Sequence, residues 1–183
     1  MIVTPGAQTA EAKGRAVIAY DRETGREVWA SGDHRGAYSS PMFADLGGHR
    51  QVLSFDGDGL TGYLALDGRP LWHFPWITRP EWINVAQPVV LDGDRVFISS
   101  GYDTGCAMLR VKKSDDSFEP PEVLWQNRRM RAKFNSPVHR DGFLYGLDDG
   151  VLVCLDARTG EQRWKGGRYD HGQTLLTGGL LLV

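Results

Sequence analysis

The stretch Ala19-Tyr20-Asp21-Arg22-Glu23-Thr24-Gly25-Arg26-Glu27-Val28-Trp29 returns 135 residues later as Cys154-Leu155-Asp156-Ala157-Arg158-Thr159-Gly160-Glu161-Gln162-Arg163-Trp164. Asp, Thr, Gly and Trp fall at identical offsets in both copies. In such an eleven-residue unit the Asp side chain accepts backbone N–H groups of a turn, Gly takes the left-handed position, and the indole is free to cover a neighbouring layer. An isolated Asp-Gly hairpin would not repeat the Trp at the same distance.

Two weaker copies fill the interval. Ala65-Leu66-Asp67-Gly68-Arg69-Pro70-Leu71-Trp72 keeps Asp, Gly and Trp and reads as a tighter hairpin with residues dropped, and the copy ending at Glu122-Val123-Leu124-Trp125 has Lys112 to Ser117 in place of the turn, with a polar insertion around Ser114 to Pro121. Trp29, Trp72, Trp125 and Trp164 are spaced by 43, 53 and 39 residues, near the roughly 40–50 residue period of four-stranded propeller blades. A second landmark, Ser39-Ser40-Pro41, Ala86-Gln87-Pro88 and Asn135-Ser136-Pro137, suits strand starts, where proline's missing N–H costs no ladder bond. One blade then reads as four strands, Pro41 to Ala44, Gln51 to Phe55, Thr61 to Leu66 and Leu71 to Phe74, joined by Gly- and Asp-rich turns. The expected organisation is all-β: a partial blade 1–31, blades 37–76, 84–127 and 134–166, and the start of another at 171–183.

The motif Ala-x-Asp-x-x-Thr-Gly-x-x-x-Trp resembles the tryptophan-docking repeat of the pyrrolo-quinoline quinone (PQQ) propeller superfamily, which includes quinoprotein alcohol dehydrogenases and an outer-membrane assembly factor. The docking residues implied are Asp21, Thr24, Gly25, Trp29, Trp72, Trp125, Asp156, Thr159, Gly160 and Trp164. The resemblance also implies a closed ring of about seven or eight blades, so this chain is expected to be an incomplete ring whose open strand edges favour self-association. A periplasmic or extracytoplasmic address follows from the resemblance alone.

Composition narrows the partners. A net charge of -2 and a pI near 6.2 give no general attraction for nucleic acid or anionic lipid. No leader is evident at Met1 to Gly6, and no apolar run is long enough to span a bilayer. Cys106 and Cys154 form no C-x-x-C pair and read as buried thiols. Five histidines, His34, His49, His73, His139 and His171, are spread over different repeats without metal-ligand spacing. Asp56-Gly57-Asp58-Gly59 resembles part of a calcium loop but lacks the later ligands, and reads as a hairpin. No metal site is expected.

In a blade, the loops between blades and the loops between second and third strands emerge together, away from the Asp-Gly turns. That places Tyr38, Arg79, Trp82, Asn84, Arg131, Asn135, His171 and Gln173 on one loop face, a mixture of aromatic, guanidinium and amide groups suited to a polar or anionic ligand. The basic run Arg128, Arg129, Arg131 and Lys133 reads first as a solvated loop. A quinone dehydrogenase needs an Asp base, a cation to polarise the quinone and groups that stack on it. The family's adjacent cysteine pair is missing, and nothing here matches the catalytic Asp or cation ligands. The expectation is therefore a non-catalytic binding or scaffold module for a protein or polymer, without cofactor. The alternative is a fragment of a PQQ- and calcium-dependent dehydrogenase whose catalytic blades lie elsewhere.

Overall fold

The computed structural model describes the whole chain except Gln8, Pro80, Glu81 and Asp116. The protein is all-β, made of antiparallel sheets of the propeller-blade kind, with one 3-10 turn at Ala10–Ala12. It divides into two compact units: Met1–Asn84 with Val111–Pro121, and Val85–Arg110 with Glu122–Val183.

The first unit holds a three-stranded sheet, β1 (Ile2–Val3), β2 (Val17–Tyr20) and β3 (Glu27–Ser31). A four-stranded sheet follows in simple up-and-down order: β4 (Met42–Leu46), β5 (His49–Phe55), β6 (Gly59–Leu64) and β7 (Pro70–Pro75). The second unit begins with β8 (Val89–Val90), β9 (Arg95–Ser100) and β10 (Gly105–Arg110). The insertion forms its own hairpin, β11 (Lys113–Ser114) and β12 (Ser117–Phe118), within the first unit, and Phe118 meets the His49 ring edge-on at 5.7 Å. The second unit then continues with β13 (Glu122–Asn127), which closes a four-stranded sheet on β10. After it come β14 (Val138–Arg140), β15 (Phe143–Asp148), β16 (Val151–Asp156) and β17 (Gln162–Arg168) as a second sheet, and the hairpin β18 (Leu175–Thr177) and β19 (Leu180–Leu182).

Middle strands such as β5 and β6 are buried along most of their length rather than on alternate residues. A sheet packed on both faces has this pattern, and its side chains make the core. In the first unit Val17, Val52 and Tyr63 pack with Trp29 and Ala65; in the second Phe97, Met108, Leu144 and Leu155 pack with Trp125.

The eleven-residue motif does what its chemistry allows. Asp21 Oδ1 accepts the N–H groups of Glu23 and Thr24 and the Thr24 hydroxyl at 3.0, 2.7 and 2.8 Å, and Gly25, at φ 70°, returns its N–H to the Asp21 carbonyl. Asp156 holds Arg158 and Thr159 N–H in the same way, with Gly160 at φ 71°. A β-bulge lies within the outer strand of all four of the larger sheets, at the residue just before the Trp, adding local twist near the turn.

The turn before Trp72 corrects the sequence reading. It is not shortened: Gly68 donates to Leu64 O and Leu64 N–H to Arg69 O, the bonds made by Gly160 with Asp156 O and by Asp156 with Glu161 O. Leu64 therefore occupies the Asp place, and Asp67 occupies the Thr place. Its Oδ1 takes Arg69 N–H at 2.9 Å, as Thr159 Oγ1 takes that of Glu161 at 3.2 Å.

Candidate functional site

The indoles come first, because they set the spacing of the loops. Trp29 Nε1 donates to Ala65 O at 3.2 Å and Trp125 Nε1 to Ala157 O at 3.1 Å, each reaching the turn of the following sheet. A Cβ at Gly68 or Gly160 would run into the ring above it, so the turn glycines serve close packing as well as positive φ. Trp72 is buried and donates to Gln51 Oε1 in its own sheet at 2.8 Å, whereas Trp164 stays 45% exposed, tilted against Tyr145. Its strand, β17, is exposed throughout.

In the first unit, Arg35 N–H and Nε bond Asp58 at 2.8 and 2.9 Å, while Gly57 N–H returns to Arg35 O. Burial pushes the Asp58 carboxyl up, but the Arg35 bonds and charge outweigh it and hold the group below its ordinary value. Asn84 O receives Tyr38 and Ser39 N–H, and Asn84 Nδ2 donates to Asp56 O and Trp76 O. These bonds stitch the loop after β3, the β5–β6 turn and the loop after β7 into one frame. Outward from it stand Tyr38, 74% exposed, Arg79, and Trp82, 43% exposed with the Arg35 guanidinium 4.3 Å over its ring. Trp82 sits at φ 51°, a conformation a bulky residue adopts only when its surroundings impose it.

Behind that frame lies a cavity of about 400 Å³ lined by Asp33, His34, Thr61, Tyr63, Trp72 and His73, among others. His34 Nδ1 is 3.3 Å from Asp56 Oδ2, and Thr61 Oγ1 lies 3.1 Å from His34 Nδ1 and 2.9 Å from His73 Nδ1. The ring centroids are 4.4 Å apart. The Asp56 bond holds the His34 imidazole above its ordinary value; burial, then the charge of His34, holds His73 below it.

In the second unit Arg131 N–H and Nε bond Asp148 Oδ1 at 3.0 and 2.6 Å, Lys165 Nζ reaches Asp148 Oδ2, and Asp149 N–H returns to Arg131 O. Burial raises the Asp148 carboxyl, but its two cations outweigh that and hold it below the usual range. Ser99 Oγ fixes the same loop through Met130 O and Ala132 N–H. His171 meets Phe134 edge-on at 5.2 Å, Gln173 Nε2 donates to Phe134 O, and Lys133 Nζ lies 5.1 Å from the Tyr102 ring.

The residues expected on the loop face thus divide. Tyr38, Arg79 and Trp82 are exposed on the first unit, His171 and Gln173 on the second. Asn84 and Asn135 are buried, Asn135 Oδ1 without a hydrogen-bond partner among the described residues, and Arg131 is committed to Asp148. Pro80 and Glu81 beside Arg79, and Asp116 of the insertion, lie outside the described residues. Thr61 and Lys165 are not singled out by the sequence reading, and His34 and His73 appear in it only as histidines without metal-ligand spacing. Aligning the repeats on Trp72 and Trp164 sets His73 against Lys165 and would have marked that position.

Asp56 and Asp58, the calcium-like fragment, are spent on His34, Arg35 and turn N–H groups. Among the described residues no three His, Cys, Asp or Glu side chains converge to hold a metal ion.

A family model described as outer membrane protein assembly factor BamB matches residues 1–166. Among solved structures, BamB from Moraxella catarrhalis is 21% identical with a TM-score of 0.58, over 81% of this chain and 46% of that one. A europium-containing methanol dehydrogenase is 13% identical with a TM-score of 0.64, over 87% of this chain and 41% of its own. The computationally designed Ika8 protein is 16% identical with a TM-score of 0.59, over 92% and 49%. This chain spans somewhat less than half the length of each, and at these identities the likeness is one of fold. Comparison with curated proteins gives no match.

Proposed function

Because the chain belongs to the family described as outer membrane protein assembly factor BamB, we propose that it is a non-catalytic propeller module that binds a protein or polymer through its inter-sheet loops. The observation that carries this reading is the exposure of Tyr38 and Trp82 on a frame whose backbone is fixed by Asn84 and Arg35. Aromatic and Arg side chains held rigidly in water are the residue types that dominate binding energy at interfaces. His171, Phe134 and Lys133 offer the same chemistry on the second unit. No described helix is long and apolar enough to cross a membrane, and the family description supports a place outside the cytoplasm. The isolated chain self-associates through open strand edges and the exposed Leu175, Leu180 and Leu182 of β18–β19.

The test is site-specific photo-crosslinking in the full-length protein in cells. Probes at Tyr38, Arg79 and His171 give discrete adducts, and probes at Arg26 and Glu161, beside the Asp-Gly turns, do not. Equal labelling from both sets would refute the loop-face assignment. Calorimetry with PQQ and calcium separates the dehydrogenase reading: micromolar or tighter binding by this chain would replace the scaffold proposal.

A further inference from the structure

The pocket behind the first unit's loop holds two imidazoles joined by a single hydroxyl, and that arrangement limits how many protons it accepts. Thr61 is buried, and its Oγ1 stands within hydrogen-bond distance of Nδ1 on both His34 and His73. A hydroxyl has one proton to donate. Asp56 Oδ2, an acceptor when ionised, faces His34 Nδ1 and places the N–H there. Burial and the charge of His34 favour a neutral His73, and with its proton on Nε2 its bare Nδ1 accepts the Thr61 proton.

We propose that Asp56, His34, Thr61 and His73 form a one-proton clasp that fastens the loop of residues 32–38 to the sheet β4–β7, and that a second proton, or loss of the first, loosens that loop. His34 precedes Arg35, whose carbonyl, backbone N–H and guanidinium make the remaining bonds to the β5–β6 turn, so the imidazole and the loop move together. A second proton on His73 would set two imidazolium rings 4.4 Å apart and reverse the Thr61 hydrogen bond, with His73 Nδ1 now the donor.

Asp56 and Asp58 favour a charge on His73, but burial and the neighbouring His34 outweigh them. Among the described residues, the groups facing the pair are Asp33 and Arg35 from the loop, Asp56 and Asp58 from the turn, and Tyr63 from β6, and β7 contributes His73 itself. Asp33 receives Gly14 N–H, Asp58 is bound by Arg35, and Asp56 by His34. The cavity opens the pair to solvent protons.

The sign follows for each ring. His34, raised by Asp56, contributes stability that is complete below the ordinary imidazole value of about 6.5 and is lost as pH rises through its higher folded value. His73, lowered by burial and by His34, costs stability as pH falls from that ordinary value toward its lower one. The loop is therefore held best near the ordinary value and loosens on either side. The second unit carries Met130, Val153 and Lys165 at the places of His34, Thr61 and His73, and its Asp148 is gripped by Arg131 and Lys165.

The experiment is a long-range ¹⁵N NMR titration of the imidazoles in the folded chain from pH 4.5 to 8.5, with hydrogen exchange of Arg35, Tyr38, Ser39 and Gly57 amides in parallel. The expected result is two separated midpoints, His34 above and His73 below about 6.5, with intrinsic-rate-corrected exchange rising roughly tenfold per unit on the acid side once His73 takes its proton. His73→Gln, which still accepts from Thr61 but cannot charge, should abolish the acid release and keep the alkaline one. Thr61→Val should loosen the loop at every pH and serves if His73→Gln does not fold. Imidazoles titrating together near the ordinary value, acid release surviving in His73→Gln, or a Thr61→Val loop as protected as wild type would each overturn the proposal.

Discussion

In each unit an arginine six residues beyond the docked tryptophan, Arg35 after Trp29 and Arg131 after Trp125, clamps its loop to the turn between the second and third strands of the next sheet. In both, the neighbouring turn residue returns its N–H to the arginine carbonyl. The surroundings differ. The second unit closes on Asp148 with a guanidinium and an ammonium, Arg131 and Lys165, while the first closes Arg35 on Asp58 and leaves Asp56 to a histidine. The fold requires a fastened loop, and either a fixed or a titratable set of charges supplies it. That freedom is where two copies of one repeat acquire different behaviour.

The largest effects should come from what the two units share. Trp29→Ala and Trp125→Ala each remove a ring lying on the next turn and should cost about 3–5 kcal/mol, read as earlier melting of the unit that carries the change. Near-zero loss at either would mean the indole bonds to Ala65 O and Ala157 O do not hold the sheets together. Breaking the fixed clamp comes next. Asp148→Ala strips partners from Arg131 and Lys165 and should cost about 2 kcal/mol, measured by urea unfolding at pH 7. Because its carboxyl is held low, that contribution is present above the ordinary carboxylate range and fades only as pH falls through its lower folded value.

Trp164 marks the weaker end of the comparison. It is 45% exposed, whereas Trp125 is partly buried and hydrogen-bonded to Ala157 O, so Trp164→Ala should shift thermal unfolding less than Trp125→Ala in the same unit. The smallest effect sharpens the turn account. Leu64→Asp restores the motif residue that the turn before Trp72 lacks and should stabilise it by about 0.5 kcal/mol, the gain of turn hydrogen bonds set against lost apolar cover. A clear loss would show that this turn departs from the other two.

The repeat was legible because its parts are local: an Asp, a Thr, a Gly and a Trp within eleven residues define a turn and a strand. The Leu64 turn was misread for a related reason, since Asp67 mimics the motif letter while standing in the threonine place. The loop residues needed tertiary information. Asn84 and Asn135 look like ligand-facing amides in sequence, but burial assigns them inward, Asn84 to carbonyls near Asp56 and Trp76. His34 and His73 lie 39 residues apart and meet only because Thr61 on β6 stands between them.

The most direct test of the contrast between the clamps is hydrogen exchange on one wild-type sample from pH 5 to 8, comparing Arg35 and Gly57 amides with Arg131 and Asp149 after correction for intrinsic rates. Protection of the first pair should peak near pH 6.5 and fall on both sides, while protection of the second pair stays level. Parallel profiles at the two loops would contradict the assignment of a titratable fastening to one unit and a permanent one to the other.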